Sequence, residues 1–393
     1  MTRGPATVQI RGWCPGALRP MLSGDGYIVR VRPRGGVLSP AQARGIARAA
    51  ETYGNGCLEL TARASLQVRG VALHDHVPLV DALGRLGLVD ADIASDARRN
   101  VIVTPFRADG TGAETAQLAC DLEAALAQGP DLPGKFGFAV DTAVNRALAG
   151  ASADIRIERA IDGSLLIRPD GGAAGRQVTA ETAVSRALDL ADWFLATGGM
   201  HDGRGRMARH IAAGAVLPEP TAWSVPPAPT LAHAGPGPHA EGVLVAAAFG
   251  QFEASALSAL ADLGADLRLT PWRMLLVVGQ ADLPAIPGLV TDPNHPILAV
   301  TACPGAPACP QALGPTRPLA RALAAHVPAG RHLHVSGCAK GCAHPAAASL
   351  TLVATPDGYD LVRDGRAGDA PASCGLTEAA LVAVPARFVE GRP

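Results

Sequence analysis

Two stretches of the chain, 26-GYIVRVRPRGGVLSPAQARGIARAAETYGNGCLELTARASLQVRG-70 and 242-GVLVAAAFGQFEASALSALADLGADLRLTPWRMLLVVG-279, follow the same plan. Each runs as an apolar alternating strand, a turn, a helix with apolar residues on one face, a strand, a turn and a closing apolar strand. Ile46, Ala47 and Ala50 on the first helix answer Leu257, Leu260 and Leu263 on the second, and LELT at 58–61 answers LRLT at 267–270. The chain therefore contains an internal repeat of a βαββ unit. Two such units are expected to join into one sheet with both helices on one face, because an α+β layer must cover the apolar side of its sheet.

Working outward, the copies are separated by 218-PEPTAWSVPPAPTLAHAGPGP-238, whose seven prolines withdraw backbone donors and favour an extended, semi-rigid linker. A longer stretch follows each copy. The expected organisation is α+β: residues 1–75 and 238–285 as paired half-domains, 76–217 as a first α/β domain, 218–237 as linker and 286–393 as a second α/β domain. Helices are expected at 177–199, with Thr179 as N-cap, at 309–327 and at 376–388.

The 393 residues are 48% apolar and 18% charged, and 34 basic side chains against 35 acidic ones leave a net charge of −1. That composition excludes wholesale disorder, and the balance gives no general field for nucleic acid or an anionic membrane. Apolar runs such as 243-VLVAAAF-249 fall short of the roughly 18–20 residues that span a bilayer. The first residues, MTRGPATVQIRGWCPG, have no apolar stretch ahead of a cleavage site, so the expected compartment is the reducing cytoplasm.

Eight cysteines then matter by placement. Cys303 and Cys309 form a C-x5-C pair, Cys338 and Cys342 a C-x3-C pair, and each pair follows an apolar run and lies in Gly/Pro-rich backbone able to fold around a compact object. Neither has the C-x2-C spacing of structural zinc, whereas an iron–sulfur cluster accepts more varied intervals. A [4Fe–4S] cluster, a zinc ion, and buried or paired thiols are the three readings. Cys57 and Cys120, in apolar surroundings, read as core residues. Cys14 and Cys374 carry no role.

The cysteine signature after a duplicated half-domain resembles the sulfite and nitrite reductase superfamily, over most of the chain. That group's T-x-R-x-x-x-Q element matches Thr61, Arg63 and Gln67; its R-N-V element matches Arg99, Asn100 and Val101; and its K-F-K element matches Lys135 in 132-LPGKFG-137. The resemblance implies ferredoxin-like half-domains paired about a pseudo-twofold axis, two α/β domains, a [4Fe–4S] cluster on the four cysteines, and a tetrapyrrole whose rim carboxylates are held by arginine forks. The second lysine of K-F-K is Gly137 here, and Trp272-Arg273 shifts the T-x-R register of the second copy. With 335-VSGCAKGCAHP-345, these departures make the chain most similar to the precorrin-3B synthases, which treat the tetrapyrrole as substrate.

That resemblance implies an oxygen-dependent monooxygenase of cobalamin biosynthesis, with precorrin-3A hydroxylated at C20 and closed to a γ-lactone. It further implies a mononuclear non-haem iron and a separate electron-donor protein drawing on NADH, since 203-GRGRMA-208 follows a helix rather than a strand and is no dinucleotide turn. The substrate contacts it implies are Arg63, Gln67, Arg99, Asn100 and Lys135, joined by Arg204 and Arg206 from 201-HDGRGRMARH-210, a cluster that otherwise reads as a solvated basic loop. His332, His334 and His344 are imidazoles of the kind a non-haem iron accepts, without a recognisable facial motif. The alternative is a sirohaem- and [4Fe–4S]-dependent sulfite or nitrite reductase; a zinc-stabilised binding protein is the third.

Overall fold

The computed structural model describes residues 14–107, 110–232 and 234–385. The first repeat opens with β1 (Met21–Ser23), β2 (Gly26–Val31), β3 (Val37–Leu38), α1 (Pro40–Tyr53), β4 (Cys57–Leu60), β5 (Leu66–Val71) and α2 (His76–Arg85). α1 starts where Ser39 caps it, with Pro40 at its first position and Gln42 closing a capping box. Its small apolar face, including Ile46, Ala47 and Ala50, is fully buried.

The first α/β domain contains α3 (Ile93–Arg98), β6 (Val101–Val103), α4 (Gly112–Ala127), β7 (Phe138–Asp141), β8 (Ile155–Arg159), β9 (Leu165–Pro169), β10 (Arg176–Val178), α5 (Ala180–Ala196) and α6 (Met207–Ala212). The second repeat supplies β11 (Gly237–His239), β12 (Gly242–Ala247), β13 (Gln251–Glu253), α7 (Ala254–Asp262), β14 (Leu267–Leu269), β15 (Met274–Val278) and β16 (Leu289–Val290). The second α/β domain has β17 (Val300–Ala302), α8 (Arg317–Leu323), β18 (Leu333–Ser336), β19 (Ala348–Thr355), β20 (Gly358–Gly365), β21 (Ser373–Leu376) and α9 (Glu378–Ala383).

The repeat extends to individual hydrogen bonds. Thr61 N–H donates to the Ser65 carbonyl and Thr270 N–H to that of Met274, while Arg63 N–H and Trp272 N–H each reach back to the threonine hydroxyl two residues before. Ala64 and Arg273 both take a positive φ, 47° and 59°. Arg273 therefore matches Ala64, and Trp272 stands where the first copy has Arg63. The α/β domains repeat as well: β6-β7-β8 and β17-β18-β19 are parallel, and each set continues through two antiparallel strands.

The expected single sheet is two sheets. One is ordered β1-β2-β5-β4-β13 and the other β11-β12-β15-β14-β3, so each copy lends its short third strand to the other's edge. The cause is a tight turn in each copy with left-handed backbone, at Gly35 (φ 57°) and Phe249 (φ 61°), which throws the next strand across to its neighbour. α1 and α7 pack on each other, and one core joins Leu38, Ile46 and Leu66 to Phe252, Leu257 and Leu267.

Other boundaries shift for the same reason of packing. Leu79, Leu83 and Leu88 belong to that first core, so the first half-domain runs past residue 75. The 218–237 segment is a strap rather than a free linker: Val225, Ala228 and Leu231 N–H donate to the carbonyls of Gly175, Arg159 and Arg146. The helix expected at 309–327 starts only at Arg317, after Pro310 and Pro315, and ends in a 3₁₀ turn at 324–326. The helix at 177–199 is α5 behind Thr179, and α9 covers only part of 376–388, whose last residues lie outside the described ones. Cys57 is buried as expected, but Cys120 faces solvent on α4. Among the described residues no helix is long and apolar enough to cross a membrane.

Candidate functional site

The T-x-R turn between β4 and β5, the loop before β7 and the loop before α6 meet at one place. Arg63 donates from Nη2 to the Lys135 carbonyl (3.1 Å) and to Ser152 Oγ (3.3 Å); Arg206 reaches the same Ser152 Oγ from its Nη2 (3.2 Å). Two guanidinium groups thus share one hydroxyl. Beneath them the Asp154 carboxylate, fully buried, accepts from Arg206 Nε (2.9 Å), Met207 N–H (2.9 Å) and Gly137 N–H (3.0 Å). A buried carboxylate with three donors is a stable anchor, and here it aims Arg206 and fixes the Lys135 loop.

The cations are in excess at this point. Burial pushes the Arg63 guanidinium down from its ordinary value, and the charges of Arg206 and Arg30 press the same way, against the opposing influence of Cys14 and Asp154. Arg63 Nη1 and Arg30 Nε are buried with no hydrogen-bond partner among the described residues. Unpaired buried guanidinium N–H groups are costly, and an incoming carboxylate would satisfy them. Lys135 is exposed beside them. Arg204 and Arg206, with Arg209, His201 and His210, line an adjoining cleft of about 610 Å³.

Gly137 explains its own lack of a side chain. A Cβ there would lie 2.9 Å from Asn100 Nδ2 and 3.1 Å from the Asn100 carbonyl. The Asn100 amide donates to the Phe136 carbonyl (2.6 Å) and so clamps this loop from the inside. Asn100, expected as a direct ligand contact, is placed here to hold the loop that presents Lys135.

Arg99 departs from expectation more sharply. Its Nε and Nη2 both donate to Asp90, with contacts of 2.8 to 3.1 Å, and the same Nη2 also reaches the Arg32 carbonyl at 3.0 Å. Both partners of that pair are buried, and Nη1 faces the buried Glu123 carboxylate at 3.9 Å, so the guanidinium is surrounded by the protein's own acids. Gln67 is half-buried on β5, in register with Arg30 on one side and Glu59 on the other. The sequence reading missed Arg30, Ser152 and Asp154. Arg30 had a signal, since Arg30 and Arg32 alternate with the core residues Val29 and Val31 and so share the opposite face of β2. Ser152 and Asp154 had none.

The four cysteines of the two pairs lie on the loops that follow β17 and β18, with Cys303, Cys309 and Cys338 near enough to act on Cys342, and all eight in the chain are free thiols. Gly337 N–H donates to Cys303 Sγ (3.1 Å), and Leu313 N–H ties the first loop to the Gly337 carbonyl. Burial raises the Cys342 thiol, and the neighbouring Cys338, Cys303 and Cys309 raise it further against Lys340. Mutual repulsion of this kind is what a polynuclear cation relieves. Among the described residues no three His, Cys, Asp or Glu side chains gather closely enough for a single metal ion. Zinc needs all its ligands about 2.0–2.3 Å from one centre. Four thiols on two neighbouring loops are the donor type that an iron–sulfur cluster takes.

His344 lies 4.9 Å from His332 and 5.6 Å from His334, ring to ring. His334 is wholly buried with neither ring nitrogen bonded, and burial first, then His344 and His332, lowers it to about 4, so it is neutral. His332 shares a hydrogen bond with Thr301 Oγ1 (2.9 Å). Three neighbouring imidazoles at these spacings do not form a mononuclear site as they stand.

In the second copy the corresponding place is aromatic. Trp272 stacks on Phe106 (5.8 Å), and Phe106 on His239 (4.1 Å). A groove of about 390 Å³ runs from Trp272 and Phe249 to Ala343, next to Cys342. The two copies thus differ at this turn, with Arg63 at the cationic site of the first and Trp272 at a largely apolar groove in the second.

Comparison with known proteins agrees with this architecture. Residues 19–86 match the family described as nitrite/sulfite reductase ferredoxin-like half domain. A precorrin-3B synthase of Sinorhizobium sp is 32% identical over 92% of this chain and 85% of its own length. The sulfite reductase [NADPH] hemoprotein beta-component of Acidithiobacillus ferrooxidans is 36% identical over 22% of this chain and 16% of its own. The fold is shared with the Mycobacterium tuberculosis NirA protein, at a TM-score of 0.59 and 18% identity over 93% of this chain and 81% of that one. With a duplicated half-domain and a relative 32% identical over 92% of this sequence, the chain belongs to the precorrin-3B synthase family of the sulfite/nitrite reductase superfamily.

Proposed function

We propose that this chain is an oxidoreductase of cobalamin biosynthesis that converts precorrin-3A to precorrin-3B. One atom of dioxygen enters the ring as the C20 hydroxyl, the ring A acetate closes a γ-lactone onto the ring A carbon beside C20, and the other oxygen atom leaves as water with two electrons and protons drawn from NADH through a separate donor protein. The observation that carries this reading is the meeting of Arg63, Arg206 and Lys135 around a side-chain-free Gly137, in a chain 32% identical to a precorrin-3B synthase.

The residues divide the work by chemistry. Arg63, Arg206 and Lys135 hold rim carboxylates, Arg204 extends the same charge along the cleft, and Asn100 and Asp154 keep those groups in place. Arg99 acts through Asp90 as a structural tie. Gln67 stands ready to donate from the β5 face beside Arg30. Cys303, Cys309, Cys338 and Cys342 would hold a [4Fe–4S] cluster, which supplies electron transfer when bound. A mononuclear iron finds no gathered ligand set among the described residues, and no step is assigned to it.

Gly137 argues against the reductase reading. An oxyanion-holding lysine at that position would have to displace Asn100, which lies 2.9 Å from where its Cβ would be. The deciding experiment starts from protein purified without oxygen, with its iron, sulfide and absorption spectrum recorded. Addition of precorrin-3A, reductant and oxygen should yield the hydroxy-lactone. No lactone, together with a strong sirohaem Soret band, would transfer the assignment to sulfite or nitrite reduction.

A further inference from the structure

The groove beside Trp272 takes no part in the reaction assigned above, yet it is built like a ligand site. It holds about 390 Å³, a volume typical of small-molecule pockets, and its apolar walls carry few polar groups. Trp272 is half-buried and held in place by its stack on Phe106 (5.8 Å). Arg273 beside it gives Nη1 to the Phe249 carbonyl (3.2 Å) and makes no ion pair among the described residues. The turn asks for no guanidinium, since the first copy makes the same left-handed step with Ala64 (φ 47° against 59°). Burial pushes the Arg273 guanidinium below its ordinary value, and Glu59, which pulls it back, is itself bonded to Arg69 (3.3 Å) and Arg317 (3.0 Å). At the other end of the groove Thr301 shares a hydrogen bond with His332 Nε2 (2.9 Å). A stacking ring, a cation without a counter-ion and a hydroxyl therefore line one groove.

We propose that this groove is a binding site for a mononucleotide with a flat, largely apolar ring. The ring stacks on Trp272, whose indole offers a π-face to any planar ring. The Arg273 guanidinium takes the phosphate through its remaining N–H groups, and Thr301 meets the hydroxyls between ring and phosphate. Charge selects this ligand over larger anions, because Arg273 is the one ionised side chain among the residues lining the groove. A dinucleotide brings a second phosphate with no cation to meet it. A tetrapyrrole octacarboxylate would leave most of its charge unmatched here, whereas Arg63, Arg206 and Lys135 at the other site suit it.

The probe is flavin mononucleotide, whose fluorescence falls when its ring stacks on an indole, titrated with the full-length protein as isolated. Quenching should saturate at one flavin per chain with a Kd below about 100 μM. Riboflavin, which has the ring and no phosphate, should bind at least about tenfold more weakly. Arg273→Gln should bring flavin mononucleotide down to the affinity of riboflavin and leave riboflavin where it was, a split that loss of a merely structural contact to the Phe249 carbonyl would not produce. Trp272→Leu should weaken both ligands about fivefold or more. A porphyrin octacarboxylate should not displace the flavin. Equal affinity for the two flavins, failure to saturate in that range, or displacement by the octacarboxylate overturns the proposal, and these wild-type measurements decide it even if a variant does not fold. No readout depends on precorrin chemistry, so this proposal and the assigned reaction can fail separately.

Discussion

Arginines that look equivalent in sequence do different work, and mutation should separate them. Arg63→Ala removes a charge-assisted donor from the open site and should weaken binding of a porphyrin octacarboxylate about tenfold or more, read by fluorescence titration, with little change in melting. Arg99→Ala leaves buried Asp90 with only its single longer contact to the exposed Arg34 and should cost about 3 kcal/mol in denaturant unfolding. Asp141 offers a pH test. It is buried at the end of β7, and burial, eased by Leu148 N–H and aggravated by Glu158, raises it to about 7. Below the unfolded value near 4 both states hold the proton; between about 4 and 7 only the folded state does, so this group drains stability as pH rises through that window. Asp141→Asn should therefore gain over wild type in melting temperature from pH 5 to 7.5 and level off above. The motif residues Arg63 and Lys135 were legible in sequence. The spent fork of Arg99 was not, because its partner Asp90 belongs to no motif.

At the scale of elements, the β1–β2 hairpin docks on the loop between Cys303 and Cys309. Ser23 Oγ and Gly24 N–H both donate to the Ala308 carbonyl, and a Cβ on Gly24 would fall 1.8 Å from the Pro307 carbonyl oxygen. Backbone cannot yield at that distance as a flexible side chain could. Gly24→Ala should push the hairpin off the cysteine loop, lowering the iron and sulfide bound per chain and the melting temperature together. Strand and helix types in both copies followed from periodicity, since each presents one apolar face. The destination of β3 and β13 did not: strands of two and three residues carry almost no pattern, and a left-handed turn decides where they go.

For the whole molecule, the exchanged strands make the two halves interdependent. Residues 1–232 expressed alone would lack β13 beside β4 and expose the face of α1 that α7 covers. Such a fragment should aggregate or bind a hydrophobic dye, and mixing it with residues 234–393 during refolding should restore a soluble complex; a stable, monomeric fragment would contradict the exchange. By itself the sequence determined the duplication, the cysteine pairs and the cationic motifs, because apolar periodicity and local spacing encode them within a few dozen residues. Only the tertiary structure decided that the halves trade edge strands, that Arg99 is spent on Asp90, and that Ser152 and Asp154 draw Arg63 and Arg206 together. Those outcomes depend on contacts between distant segments, where burial forces each charge to find a partner that no local pattern names.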